Sequence, residues 1–163
     1  IPTPMDFASR VAAQIRLALN LIRLARWRGG ATLAEPLVLI LHLGYLWLAS
    51  GLVLLGLSVM VPAHVLPSVG VHALTAGAIG VMTLAIMTRS SRGHTGRPLT
   101  AGKADILIYG LINAAALTRV IGGLMPAAYH PLLIVSVGLW SAAFLAFVIS
   151  YGPILLTPRL GRG

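Results

Sequence analysis

Residues 36–60 read PLVLILHLGYLWLASGLVLLGLSVM. No charged side chain interrupts them, and about 18 apolar residues already suggest a membrane span. Pro36 suits the first turn of a helix, where its missing N–H costs nothing, and Pro62 stops the run. The whole chain has the same character: 58% of its 163 residues are hydrophobic and only 9% are charged. Mean hydropathy is +0.93. Soluble domains carry about a quarter charged residues, so so few charges would leave a water-facing surface uncovered. The chain is an integral membrane protein.

Three more apolar runs follow the first. One extends from about 69 to 88, opening near His72 and closing on Arg89. Another covers about 104–124, with Asp105 at its start, Asn113 near its middle and Arg119 late. The last covers about 131–155, with Trp140 central and Tyr151 near its end. The connections at 61–68 and 125–130 are short, Pro-bearing turns. Upstream, Val11, Ile15, Leu19 and Ile22 form an apolar ladder on a helix over about 5–26 that also carries Arg10, Arg16 and Arg23. Two placements compete for it: lying in the interface, or spanning with Arg16 turned to the bundle interior. The expected fold class is all-α, a polytopic transmembrane helical bundle with four spans plus a fifth, N-terminal helix, in a single membrane domain over 1–163.

A formal net charge of +9 would point to nucleic acid in a soluble protein. Here the cations sit beside apolar runs, and their distribution follows the positive-inside rule. Five Lys or Arg precede the first span, none lies in 61–68, four lie in 89–103, none in 125–130 and two in the tail. Basic loops are therefore expected on the cytoplasmic side, and no nucleic-acid partner is expected. There are no cysteines, which excludes disulfides and thiolate metal sites.

The histidines carry the chemical interest. His42 lies about six residues into an uncharged span, roughly 9 Å from its start, with Tyr45 one turn on along the same face. His72 opens the second span. It reads either as a metal or haem ligand through its imidazole or as an interfacial residue bonded to a carbonyl. His94 lies in a polar loop, within Gly93-His94-Thr95-Gly96-Arg97, whose glycines imply a tight backbone shape. His64 and His130 sit in turns beside prolines and read as ordinary interfacial residues. Counting residues along the spans puts Arg119 at the level of His72, in one membrane half with Asn113. His42, Tyr45 and His94 fall in the other half. Arg119 either pairs with an anionic group or snorkels to the surface. Met82 and Met87 read as packing residues. Two small-xxx-small pairs, Ala73/Gly77 and Ala76/Gly80, should let a neighbouring helix approach closely.

Several blocks together resemble the NnrS family. They are His72-Ala-Leu-Thr-Ala-Gly-Ala-Ile-Gly80, Met82-Thr-Leu-Ala-Ile-Met-Thr-Arg89 and Gly93-His-Thr-Gly-Arg-Pro98, with Trp27-Arg-Gly, Glu35-Pro36-Leu and Ile40-Leu-His-Leu-Gly-Tyr45 upstream. Tyr151-Gly-Pro-Ile-Leu and Pro158-Arg159 resemble that family's C-terminus. Ser90-Ser91-Arg92 departs from it, being more basic than expected.

The resemblance implies a bacterial inner-membrane protein of about a dozen helices that contains haem and copper and is linked to nitric oxide metabolism and nitrosative-stress tolerance. It further implies that this chain, which begins at Ile1, is the C-terminal portion, partnered by N-terminal helices outside it and by membrane lipid. It favours the spanning placement of 5–26. His42, His72 and His94 fall inside the matching blocks and inherit metal or haem ligation, with nitric oxide or nitrosylated iron as the ligand. Arg119 beside His72 would balance haem propionate charge. No catalytic constellation is readable, which favours a non-enzymatic response protein. The alternatives are a transporter for a metal or small solute, a redox subunit resembling a haem–copper reductase, and a structural bundle whose histidines ligate nothing.

Overall fold

The computed structural model describes residues 35–159 and, before them, Leu19 alone; the helix expected over about 5–26 lies outside the described residues. Four antiparallel helices follow one another: α1 (Pro36–Met60), α2 (Pro67–His94), α3 (Lys103–Leu124) and α4 (Tyr129–Leu156). A single 3-10 turn, Pro126–Ala128, joins α3 to α4. Each of the four is long and apolar enough to cross a membrane. α2 packs against the other three helices, most extensively against α1, and α3 packs lengthwise against α4.

The helix boundaries follow from local chemistry. Pro36 starts α1 and Pro67 starts α2, each in a first turn that has no use for its N–H. α2 runs on to His94, six residues past the expected end at 88. Its stop is built by the Gly-His-Thr-Gly-Arg block. Gly96 adopts φ 72°, the only positive φ among the described residues. The Arg97 N–H then bonds the Arg92 carbonyl at 3.0 Å and the Gly96 N–H bonds the Gly93 carbonyl at 3.3 Å. These two reversed bonds define a Schellman termination, in which a glycine takes the left-handed position at no steric cost. The Thr95 hydroxyl adds a bond to the Ser91 carbonyl at 2.6 Å.

α2 is not uniform. Ala73–Ile79, directly after His72, is a π-helical stretch, a wide turn often found at functional sites. Gly77 within it seats the Trp47 indole of α1: a Cβ there would lie 2.6 Å from Trp47 Cδ2. Gly51 of α1 meets Leu74 in the same way, at 2.6 Å from Cδ2. The small residues of the second span thus bring two backbones close, as expected of them. Trp47 then donates its Nε1–H to Asn113 Oδ1 of α3 at 2.9 Å, while Asn113 Nδ2 donates to the Tyr109 carbonyl at 2.8 Å. Asn113 therefore links α1 to α3 and shares no recorded hydrogen bond with His72 or Arg119.

Apolar contacts fill the rest. Leu37, Ile40, Leu84, Ile108, Ile112 and Tyr151 form a fully buried core in the half that holds the start of α1. A smaller cluster of Val69, Ala73 and Val120 lies toward the other end. Outside, Ile134, Val137, Leu145, Val148 and Ile149 of α4 are exposed. A surface this apolar suits hydrocarbon, where helices also satisfy every backbone polar group internally.

One polar assembly is buried among these contacts. Asp105, in the first turn of α3, has no exposed surface. Its Oδ2 accepts from Arg92 Nη2 at 2.7 Å and from the Gly102 N–H at 2.7 Å. Its Oδ1 accepts the Tyr151 hydroxyl proton. Arg92 Nε in turn donates to the Tyr151 oxygen at 2.9 Å. The ring of bonds joins the end of α2, the start of α3 and the end of α4. One turn deeper, the Thr88 and Tyr109 hydroxyls meet at 2.5 Å.

Removing one member of a buried ion pair leaves the other uncompensated, which costs about 3–5 kcal/mol. Asp105→Asn is accordingly expected to lower the thermal unfolding midpoint in detergent sharply, whereas Tyr151→Phe, which deletes one hydroxyl, should cost about 1–2 kcal/mol. Equal, negligible shifts for both would contradict the central role of the carboxylate. Gly77→Val forces a side chain into the Trp47 indole and should destabilise by about 1–3 kcal/mol. The same midpoint measurement checks it.

Candidate functional site

The bundle has two chemically different ends. At one, the start of α1, the end of α2, the start of α3 and the end of α4 gather Arg89, Arg92, Arg97, Lys103 and Arg159. At the other, the turns contribute no Lys or Arg, and Arg119 is the cation nearest to it.

His72 and Arg119 come together near this second end. Arg119 Nη2 lies 2.7 Å from His72 Nε2 and 3.5 Å from the Tyr129 hydroxyl. The guanidinium carbon sits 5.4 Å from the centroid of the Tyr129 ring, a cation–π distance. Arginine can only donate, so Nε2 of His72 is the acceptor and the ring proton is on Nδ1. His72 is thereby a neutral imidazole whose Nε2 lone pair is already engaged. Ligation of a metal through Nε2 would require Arg119 to leave. The equal depth of the two residues, read from their positions along the spans, is what makes the contact possible. Arg119 bonds across to α2 through His72 and, toward the turn end of the bundle, to Tyr129.

His42 is arranged differently. Its Nδ1 lies 3.0 Å from the Val38 carbonyl, one turn back on α1. A carbonyl only accepts, so Nδ1 carries the proton and Nε2 carries the lone pair. This backbone-fixed tautomer is the usual preparation of a metal-binding histidine. Of the three histidines inside the family-like blocks, His42 is the one whose described partner sets up Nε2 for ligation. His94 sits in the last turn of α2 and is exposed, so it belongs to a helix end rather than to a loop. Among the described residues no group of three or more His, Asp or Glu side chains is placed to hold a metal ion.

Residue-by-residue reading missed the Arg92–Asp105–Tyr151 ring. Arg92 looked like one more topological cation, and Asp105 like an ordinary first-turn acid. The available signal was the near-absence of carboxylates: only Asp6, Glu35 and Asp105 occur in the chain. An acid at the mouth of an apolar helix needs a cation, and Arg92 was within reach of it.

Against known proteins, no curated protein and no solved structure matches the chain. The model of a family described as NnrS protein matches residues 3–159. With nearly its whole length covered and four helices able to cross a membrane, the chain belongs to the NnrS family.

Proposed function

We propose that the protein binds haem and copper in a bacterial inner membrane and serves nitric oxide metabolism or the response to nitrosative stress, with its basic end cytoplasmic. Membership of the NnrS family supports the nitric oxide link. The observation that carries the ligand assignment is the His42 tautomer, fixed by the bond from Nδ1 to the Val38 carbonyl. Imidazole suits iron and copper alike. Bound haem or copper would supply the affinity for nitric oxide.

The residues of the chain do the positioning. Val38 holds the His42 ring in one orientation, and its carbonyl raises the basicity of Nε2. The α1 residues flanking His42 are apolar. Neutral His72, bonded to Arg119, sits near the opposite end and serves as a ligand only if that bond opens. His94, exposed at the end of α2, is the remaining imidazole of the family-like blocks.

The purified full-length protein is expected to show a Soret band and to contain copper. The absence of both would overturn the reading. His42→Ala should lower haem or copper content several-fold while leaving the unfolding midpoint within about 1 kcal/mol of the parent. Unchanged content of both would remove His42 from the ligand set.

A further inference from the structure

Arg119 is a guanidinium within a membrane-spanning helix, and no carboxylate balances it among the described residues. Glu35 and Asp105, the only acids described, are both at the opposite end, and Asp105 is taken by Arg92. An unbalanced cation in this position is costly, so intramembrane arginines are found paired or facing a cavity. Both recorded hydrogen bonds of Arg119 leave from Nη2 and go to neutral acceptors. Nη1 and Nε make no recorded bond, so their N–H groups remain as donors for a phosphate or carboxylate.

Beside Arg119 lies an open cleft of about 190 Å³, lined by Ala76, Leu133, Ser136, Val137 and Trp140. Its walls are almost wholly apolar. The one hydroxyl, that of Ser136, is spent on the Ala115 carbonyl at 2.8 Å, so Arg119 is the sole charged group of the lining. From Leu133 to Trp140 the groove follows two turns of α4, roughly 10 Å at 1.5 Å per residue. Val137 and Trp140 are exposed on the outer side of α4. A cation at the membrane-end of a narrow apolar groove that opens sideways has the form of a lipid.

We infer that this cleft is a binding site for an anionic phospholipid, with the phosphate on the Arg119 guanidinium and one acyl chain along Ala76, Leu133, Val137 and Trp140. His72 and Tyr129 are positioning residues: they hold Nη2 and so orient the guanidinium, leaving the Nη1 and Nε donors for the headgroup. The anion restores the charge balance that the described residues lack at this end, and pockets of cations between transmembrane helices bind anionic headgroups by the same chemistry.

The test is native mass spectrometry of the full-length protein in detergent, titrated with phosphatidylglycerol, phosphatidylcholine or inorganic phosphate. The cations of the basic end are common to all variants, so the difference between variants is the readout. One phosphatidylglycerol is expected to be retained more strongly than phosphatidylcholine, and Arg119→Gln should weaken that retention about tenfold. Ala76→Leu, which fills the groove and keeps the cation, should weaken it comparably, and it serves as the decisive variant if Arg119→Gln does not fold. Arg119→Lys should retain part of the affinity. Undiminished phosphatidylglycerol binding by both Arg119→Gln and Ala76→Leu would overturn the inference. So would competition by millimolar inorganic phosphate alone, which would make this a free-anion site. Co-purification of haem lost specifically in Arg119→Gln would assign the guanidinium to a propionate instead.

Discussion

A fully buried carboxylate holds this bundle in register. Asp105 has no exposed surface, and in hydrocarbon an ionised carboxylate survives only if its lone pairs are occupied. Here the occupants come from three places: the Arg92 guanidinium on α2, the Tyr151 hydroxyl on α4 and the Gly102 N–H at the start of α3. Membrane helices gain little from mutual hydrophobic burial, because lipid is as apolar as the partner helix. Directional bonds of this kind therefore decide which faces meet. Once Arg92 is drawn in to Asp105, α2 must stay helical through that residue. Its termination is then displaced to the Gly96 turn.

The same constraint shapes the interior above the ring. Polar residues of α3 recur near one face at Asp105, Tyr109 and Asn113, four residues apart. Each finds a different partner: Arg92 and Tyr151, then Thr88, then Trp47. Successive rungs tie α3 to its neighbours at increasing depth. Glycines at the α1–α2 contact make the Trp47 rung possible, since the indole lies against a backbone with no Cβ at Gly77. Close approach and polar pairing are two parts of one arrangement.

Depth was legible in the sequence; direction around each helix was not. Four charge-poor runs marked the spans, and counting residues along them placed His72 and Arg119 at one level, where they meet at 2.7 Å. The same counting put Asn113 in that half as well, yet its amide faces Trp47 because position 113 points to another side of α3. Ser90-Ser91-Arg92-Gly93 looked like a loop because its residues are polar. It is helical because a long-range partner, Asp105, holds it, and no local propensity records that partner. His42 and His94 also share a membrane half by counting; His42 bonds the Val38 carbonyl one turn back, and His94 ends exposed at a helix terminus.

The two partly buried arginines show why charge balance, more than burial, separates a structural site from a candidate binding site. Arg92 and Arg119 both bond a tyrosine, and both have a ring within cation–π range, at 5.7 Å and 5.4 Å. Arg92 also has a carboxylate, so its charge is balanced and its donors are spent within the fold. Arg119 has a neutral imidazole in the corresponding place. Bonding to His72 Nε2 orients the guanidinium without neutralising it, and the same bond keeps that imidazole from accepting a proton or a metal at that nitrogen. A neutral acceptor thus fixes the direction of a cation while leaving its field for something outside the chain. That field opens onto an apolar cleft, where low dielectric strengthens any anion contact.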